Sequence, residues 1–184
     1  MTIQEFEGLS PEQKRVAIAN DVILQLSGDV YKARPGSFMN STNIISTATK
    51  TGITSIQTLL LEDKVKECKV CAIGACFLSV IKFTNKLDTA QLNNVSFRVV
   101  IDEERHISAF DRLREYFSDR QLILIESAFE RSNKNHDEIV NHIEVLNAIK
   151  FGSYIYINND DNEFYLIMFE IMKNIIDHDG EFIP

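Results

Sequence analysis

The chain has 184 residues, 45% of them hydrophobic and 25% charged, with a formal net charge of −8. That length suits one domain with a substantial core, and no basic stretch followed by an apolar run predicts a secretory leader. Residues 1–99 carry 11 Lys+Arg against 9 Asp+Glu, and residues 100–184 carry 8 against 18, so the C-terminal half disfavours nucleic acid and anionic membrane as partners and favours a basic surface.

Met1 to Leu9 reads as a short lead-in. Ser10-Pro11-Glu12-Gln13 is a helix start: Ser10 caps, Pro11 occupies a position whose N–H has no helical partner, and Gln13 completes a capping box. Val16, Ala19, Ile23 and Leu26 follow at helical spacing, and Gly28 closes the helix. From 30 to 58 the period lapses. Arg34-Pro35-Gly36 signals a turn, and Asn40-Ser41-Thr42-Asn43 is rich in side chains that bond their own backbone, so a long polar loop is expected there, with a short helix at Ile56 to Glu62 at its end. Tyr31, Lys32 and Arg34 in this loop are candidate ligand-binding residues. They would stack on and neutralise a small anionic ligand if the loop is a flap, and serve nothing if it is a plain excursion.

Lys69 to Phe83 (KVCAIGACFLSVIKF) is the most apolar stretch, with no charge from Val70 to Leu78. A helix of this length falls short of the ~30 Å hydrocarbon core of a membrane. It is therefore predicted as the buried central helix of a soluble bundle. Gly74 is expected where a second backbone comes close, because glycine inside a helix otherwise costs about 1 kcal/mol.

Val95–Ile101 and Tyr154–Ile157 alternate and are β-branched or aromatic, which predicts a minor two-stranded β element. Asp102–Phe117 reads as a helix, with Ile107, Phe110, Leu113 and Phe117 on one face. Ser118-Asp119-Arg120-Gln121 is a second capping box. Leu122–Phe129 behind it is apolar on two faces, as a buried layer or a homo-oligomer contact would be. Asn135–Lys150 is expected to bury Ile139, Ile143 and Leu146. Asn159-Asp160-Asp161 caps a last helix whose stripe is Phe164, Met168, Ile171 and Ile175.

Three cysteines cannot all pair, and two lie in the most apolar stretch, which favours free thiols in a reducing, cytoplasmic setting. Cys68-Lys69-Val70-Cys71 has C-x-x-C spacing. Zinc would need a second close pair, and His106, His136, His142 and His178 are scattered. A redox pair would need a strand leading into a helix, and no strand is predicted before Cys71. No metal or cofactor site is predicted. Gly-rich phosphate loops, G-x-S-x-G and H-E-x-x-H do not occur.

A helix ending near Gly28, then a polar loop, then Cys71-Ala72-Ile73-Gly74-Ala75 makes residues 10–83 resemble short bacterial and phage proteins without an assigned function. The resemblance implies a phage or mobile-element origin. The fold expected is a mainly α single domain over 1–184, with five or six helices around 69–83. The leading functional expectation is a non-catalytic binding or inhibitory protein acting on a host defence factor. It would present Asp160, Asp161, Glu163, Asp177 and Asp179 to a basic partner surface. The second is a small-ligand protein that sequesters a nucleotide signal through Tyr31, Lys32 and Arg34. The third is a thiol-dependent or hydrolytic enzyme.

Overall fold

The computed structural model describes residues 1–36, 38–62, 64–85, 87–92, 95–96, 107–157 and 163–184. The lead-in is a helix: Thr2 and Glu5 form a reciprocal capping box that starts α1 (Ile3–Glu7). Its Phe6 is buried and stacks on Phe83 at 4.7 Å between ring centroids. Ser10 and Gln13 cap α2 (Pro11–Ser27) as the sequence predicts. The stretch expected as a loop instead holds β1 (Tyr31–Ala33) and α3 (Thr42–Thr51), while the short helix expected at Ile56 to Glu62 is present as α4 (Ile56–Leu61). The reason is local. The hydroxyls of Thr47, Thr49 and Thr51 donate to the carbonyls four residues earlier, at 2.7, 2.9 and 2.8 Å. They thus bond within the helix instead of competing with it, while Ile44 and Ala48 are buried on its inner side.

A strand does precede Cys71. β2 (Cys68–Val70) runs parallel to β1 with Tyr31 opposite Cys68 and Ala33 opposite Val70, so α3 and α4 form the crossover that parallel pairing requires. The central helix consequently starts three residues later than predicted, as α5 (Ala72–Thr84). Cys71 is its N-cap, with its sulfur accepting from Gly74 N at 3.4 Å. Every residue from Ala72 to Phe83 is buried. A Cβ on Gly74 would sit 1.9 Å from the carbonyl oxygen of Phe38, so the close backbone approach is real and its partner is the chain after β1.

The C-terminal half forms β3 (Val95–Ser96), β4 (Ile107–Ser108), α6 (Ala109–Leu113), α7 (Asp119–Glu130), α8 (His142–Ile157) and α9 (Glu163–Asp177). β3 pairs with β4 in parallel. Tyr154–Ile157, expected as a strand, is the last turn of α8. Of the helix expected over 102–117, residues 107–117 hold β4 and α6, and residues 97–106 lie outside the described residues. The helix expected from Asn135 begins at His142, because the Asn135 side chain both donates to Val140 O (2.6 Å) and accepts from Val140 N (3.1 Å), folding that segment into a loop. Along α7, Gln121 to Phe129 are all buried. The two apolar faces of Leu122–Phe129 are satisfied within the chain by α5, α8 and α9, which removes them as a contact for a second copy.

The residues after α9 are stitched to the core by amide and guanidinium groups. Arg15 donates to Gly180 O (2.8 Å), Tyr116 O (3.2 Å) and Glu181 Oε1 (3.0 Å). Ser118 caps α7 through Gln121 N as expected, but the Gln121 side chain does not close the capping box: it exchanges two hydrogen bonds with the Phe182 backbone instead, and Asn174 makes two with the Ile183 backbone. Among the described residues no helix is long and apolar enough to cross a membrane.

Candidate functional site

The packing of α2 along α9 leaves a cleft of 390 Å³ where the first turns of α2 meet the turn after α9. Leu9, Val16 and Ala17 form its apolar part, Gln13 and Asn20 add amides, and Glu12 and Asp179 add carboxylates. Glu12 is held below the usual carboxylate range by a backbone hydrogen bond and by the Ser10 hydroxyl, which donates at 2.9 Å. Asp177 is the last residue of α9, and that helix has no basic residue in its last turn. Asp177 and Asp179 therefore stand at the negative end of the helix dipole, where anions are disfavoured and cations are drawn in. Among the described residues neither Asp177 nor Asp179 is in an ion pair, whereas Glu12 lies 3.7 Å from the Arg15 guanidinium. An aliphatic floor with a negative rim suits a lysine or arginine: the stem lies on the floor and the head meets the carboxylates.

Of the predicted acids among the described residues, Asp179 alone lines this cleft, with Asp177 two residues before it at the end of α9. Glu163 begins α9, some 14 residues from Asp177, a helical separation of about 21 Å. Asp160 and Asp161 lie outside the described residues. The sequence reading missed Glu12, which it took as part of a cap, and Leu9, which it took as lead-in. Nothing in the sequence pairs the start of α2 with the end of α9.

Tyr31 and Lys32 both line a second cavity, of 320 Å³, together with Asp29 and Tyr165. The Tyr31 side chain is buried, however, and the Lys32 ammonium is already bound by Asp29 at 2.7 Å. Arg34 is exposed outside this cavity, and its backbone N donates to Val70 O. The three do not converge as a set.

Behind Tyr31 lies a polar cluster in the core. Lys82 Nζ donates to Asp21 Oδ1 at 2.6 Å, and Gln25 donates to the same oxygen at 3.2 Å. Burial, then the nearby Asp21 charge, pushes the Tyr31 phenol well above its ordinary value. The C-x-x-C thiols are equally enclosed: Cys68, Cys71 and Cys76 are all buried, and burial raises each to about 12. Such thiols are protonated at neutral pH and are poor nucleophiles or metal ligands. No group of three or more His, Cys, Asp or Glu able to hold a metal ion occurs among the described residues.

A groove of 630 Å³ runs between α8 and α9 and is lined by Lys150, Phe151, Tyr154, Leu166 and Glu170 among others. Beside it α8 exposes Ile143, Leu146, Tyr154 and Ile157. The expectation that Ile139, Ile143 and Leu146 are core is overturned, since they are 50, 65 and 40% exposed. Val145, Ala148 and Gly152 face inward instead, because a Cβ on Gly152 would meet Ala128 O at 1.9 Å and only a glycine face lets α8 close on α7.

No family model, no curated protein and no solved structure matches this chain.

Proposed function

We propose that this is a non-catalytic binding protein that captures a basic segment of a protein partner in the cleft between α2 and the end of α9. One observation carries the reading: an apolar floor of Leu9, Val16 and Ala17 is rimmed by Glu12 and Asp179, beside the negative end of α9. The acidic balance of the C-terminal half supports it, because a negative surface steers a cationic partner before contact. An inhibitory role follows if the captured segment is one its owner needs.

The test is charge reversal. A lysine-rich amphipathic peptide titrated into the protein is expected to bind with an affinity that falls as salt rises. Asp179→Lys combined with Asp177→Lys is expected to abolish that binding while leaving the circular dichroism unchanged. Unchanged affinity and an unchanged salt slope in the double variant would sink the reading.

A second reading, capture of a small anionic ligand, is favoured by the cavity that Tyr31 and Lys32 share. Native mass spectrometry of the purified protein, before and after denaturation, tests it. A small mass lost on denaturation, and lost also from Lys32→Ala, supports this reading over the first.

A further inference from the structure

We propose that α8 is the contact surface of a homodimer, in which two copies of this helix pack antiparallel about a two-fold axis beside Lys150. The inward face of α8 is spent on α7 through Val145, Ala148 and Gly152. On its outer face Ile143, Leu146, Tyr154 and Ile157 are 65, 40, 72 and 77% exposed. At 100° per residue, Ile143, Lys150, Tyr154 and Ile157 fall within one narrow stripe, with Leu146 on its edge. Apolar side chains gathered in a stripe differ from the scattered ones every surface carries, and mark an interaction site.

Why a second copy? The stripe is symmetric about Lys150. Ile143 and Ile157 stand seven residues to either side, and Leu146 and Tyr154 four. An antiparallel two-fold axis at Lys150 therefore sets Ile143 of one copy against Ile157 of the other, and Leu146 against Tyr154. That self-complementarity is what an isologous contact requires. Charge agrees with it. Lys150 is the stripe's one charged residue, and Glu170 lines the same groove. The two lysines brought to the axis would repel each other, but each has a carboxylate within the joined grooves. This surface has no residue in common with the acidic cleft, so neither proposal depends on the other. A dimer would carry two clefts and bind a repetitive basic partner more tightly than either alone.

Sedimentation velocity or light scattering over a dilution series tests the arrangement. The wild-type chain is expected at twice its 21.0 kDa mass, dissociating on dilution. Ile143→Glu alone and Ile157→Lys alone are each expected to weaken the dimer about 30-fold, the fold-change of a lost hot spot. Both substitutions suit the helix dipole at their own ends, so the protomer keeps its fold. Combined in one chain, they place opposite charges across the proposed contact, and association is expected to recover. A wild-type chain that stays monomeric at every concentration overturns the proposal and leaves the face to a different protein. A dimer indifferent to both single changes, or one the combined change fails to restore, overturns the antiparallel α8 arrangement.

Discussion

Helices α7 and α8 are neighbours packed along one another, and both are rich in isoleucine and leucine, yet they end in opposite circumstances. α7 is covered on both apolar faces, so that from Gln121 to Phe129 nothing is exposed. α8 is covered on one face only, and its other apolar face meets solvent. The difference teaches that apolar content measures how much a helix gains from burial, whereas the number of neighbours decides how much of that gain is taken. α7 lies between α8, α9 and α5. α8 lies at the edge of the bundle, with its inward side fixed by Gly152.

The sharpest contrast should come from the interior. Lys82 and Asp21 are 9% and 5% exposed, so Lys82→Met leaves a buried carboxylate without its cation and is expected to cost about 3–5 kcal/mol. Adding Asp21→Leu should return most of that loss, and urea titration of the single and double variants checks both values. Next comes the comparison itself. Leu124→Ala in α7 is expected to cost about 2–5 kcal/mol, while Ile143→Ala in α8 should move protomer stability by no more than about 0.5 kcal/mol. Equal losses in thermal unfolding would break the distinction between the two helices.

The seam between them gives the third test. Gly152→Ala forces a Cβ against the Ala128 carbonyl, and such overpacking is expected to cost about 1–3 kcal/mol. The smallest effect is electrostatic. Arg120 of α7 binds Glu144 of α8, and that hydrogen bond holds the Glu144 carboxyl below its usual range. A depressed carboxylate stabilises the fold above its unfolded pKa and loses that contribution as pH falls through its folded value. Both partners are substantially exposed (44% and 36%), so Arg120→Ala is expected to cost less than about 1 kcal/mol near neutral pH. In acid, where Glu144 is protonated in either state, the difference from wild type should vanish.

Much of this architecture is local and was therefore written in the sequence. The capping box at Ser10, the N-cap at Ser118, the helical stripe Met168, Ile171 and Ile175, and the apolar run that becomes α5 all depend on side chains within a few residues of one another. Gly74 announced a close approach because glycine is costly in a helix without one. What approaches, the Phe38 carbonyl, could not be read, since residues 38 and 74 share no local signal. The same holds for α3, whose threonines are compatible with a loop or a helix until Ile44 and Ala48 find a core to enter.

The candidate site was legible in part. The sequence showed that the C-terminal half is acidic and that Asp177 and Asp179 follow the last helical stripe. Only the tertiary structure set Asp179 beside Glu12 and Leu9, because that neighbourhood is made by α9 packing along α2 across most of the chain. Likewise, the sequence marked Ile139, Ile143 and Leu146 as the stripe to be buried, and the tertiary structure turned the opposite face of α8 inward. Periodicity fixes the angle between side chains around a helix axis, but the rotation of that axis is set by whichever face can come closest to its neighbour. In α8 that face is the one with Ala148 and Gly152.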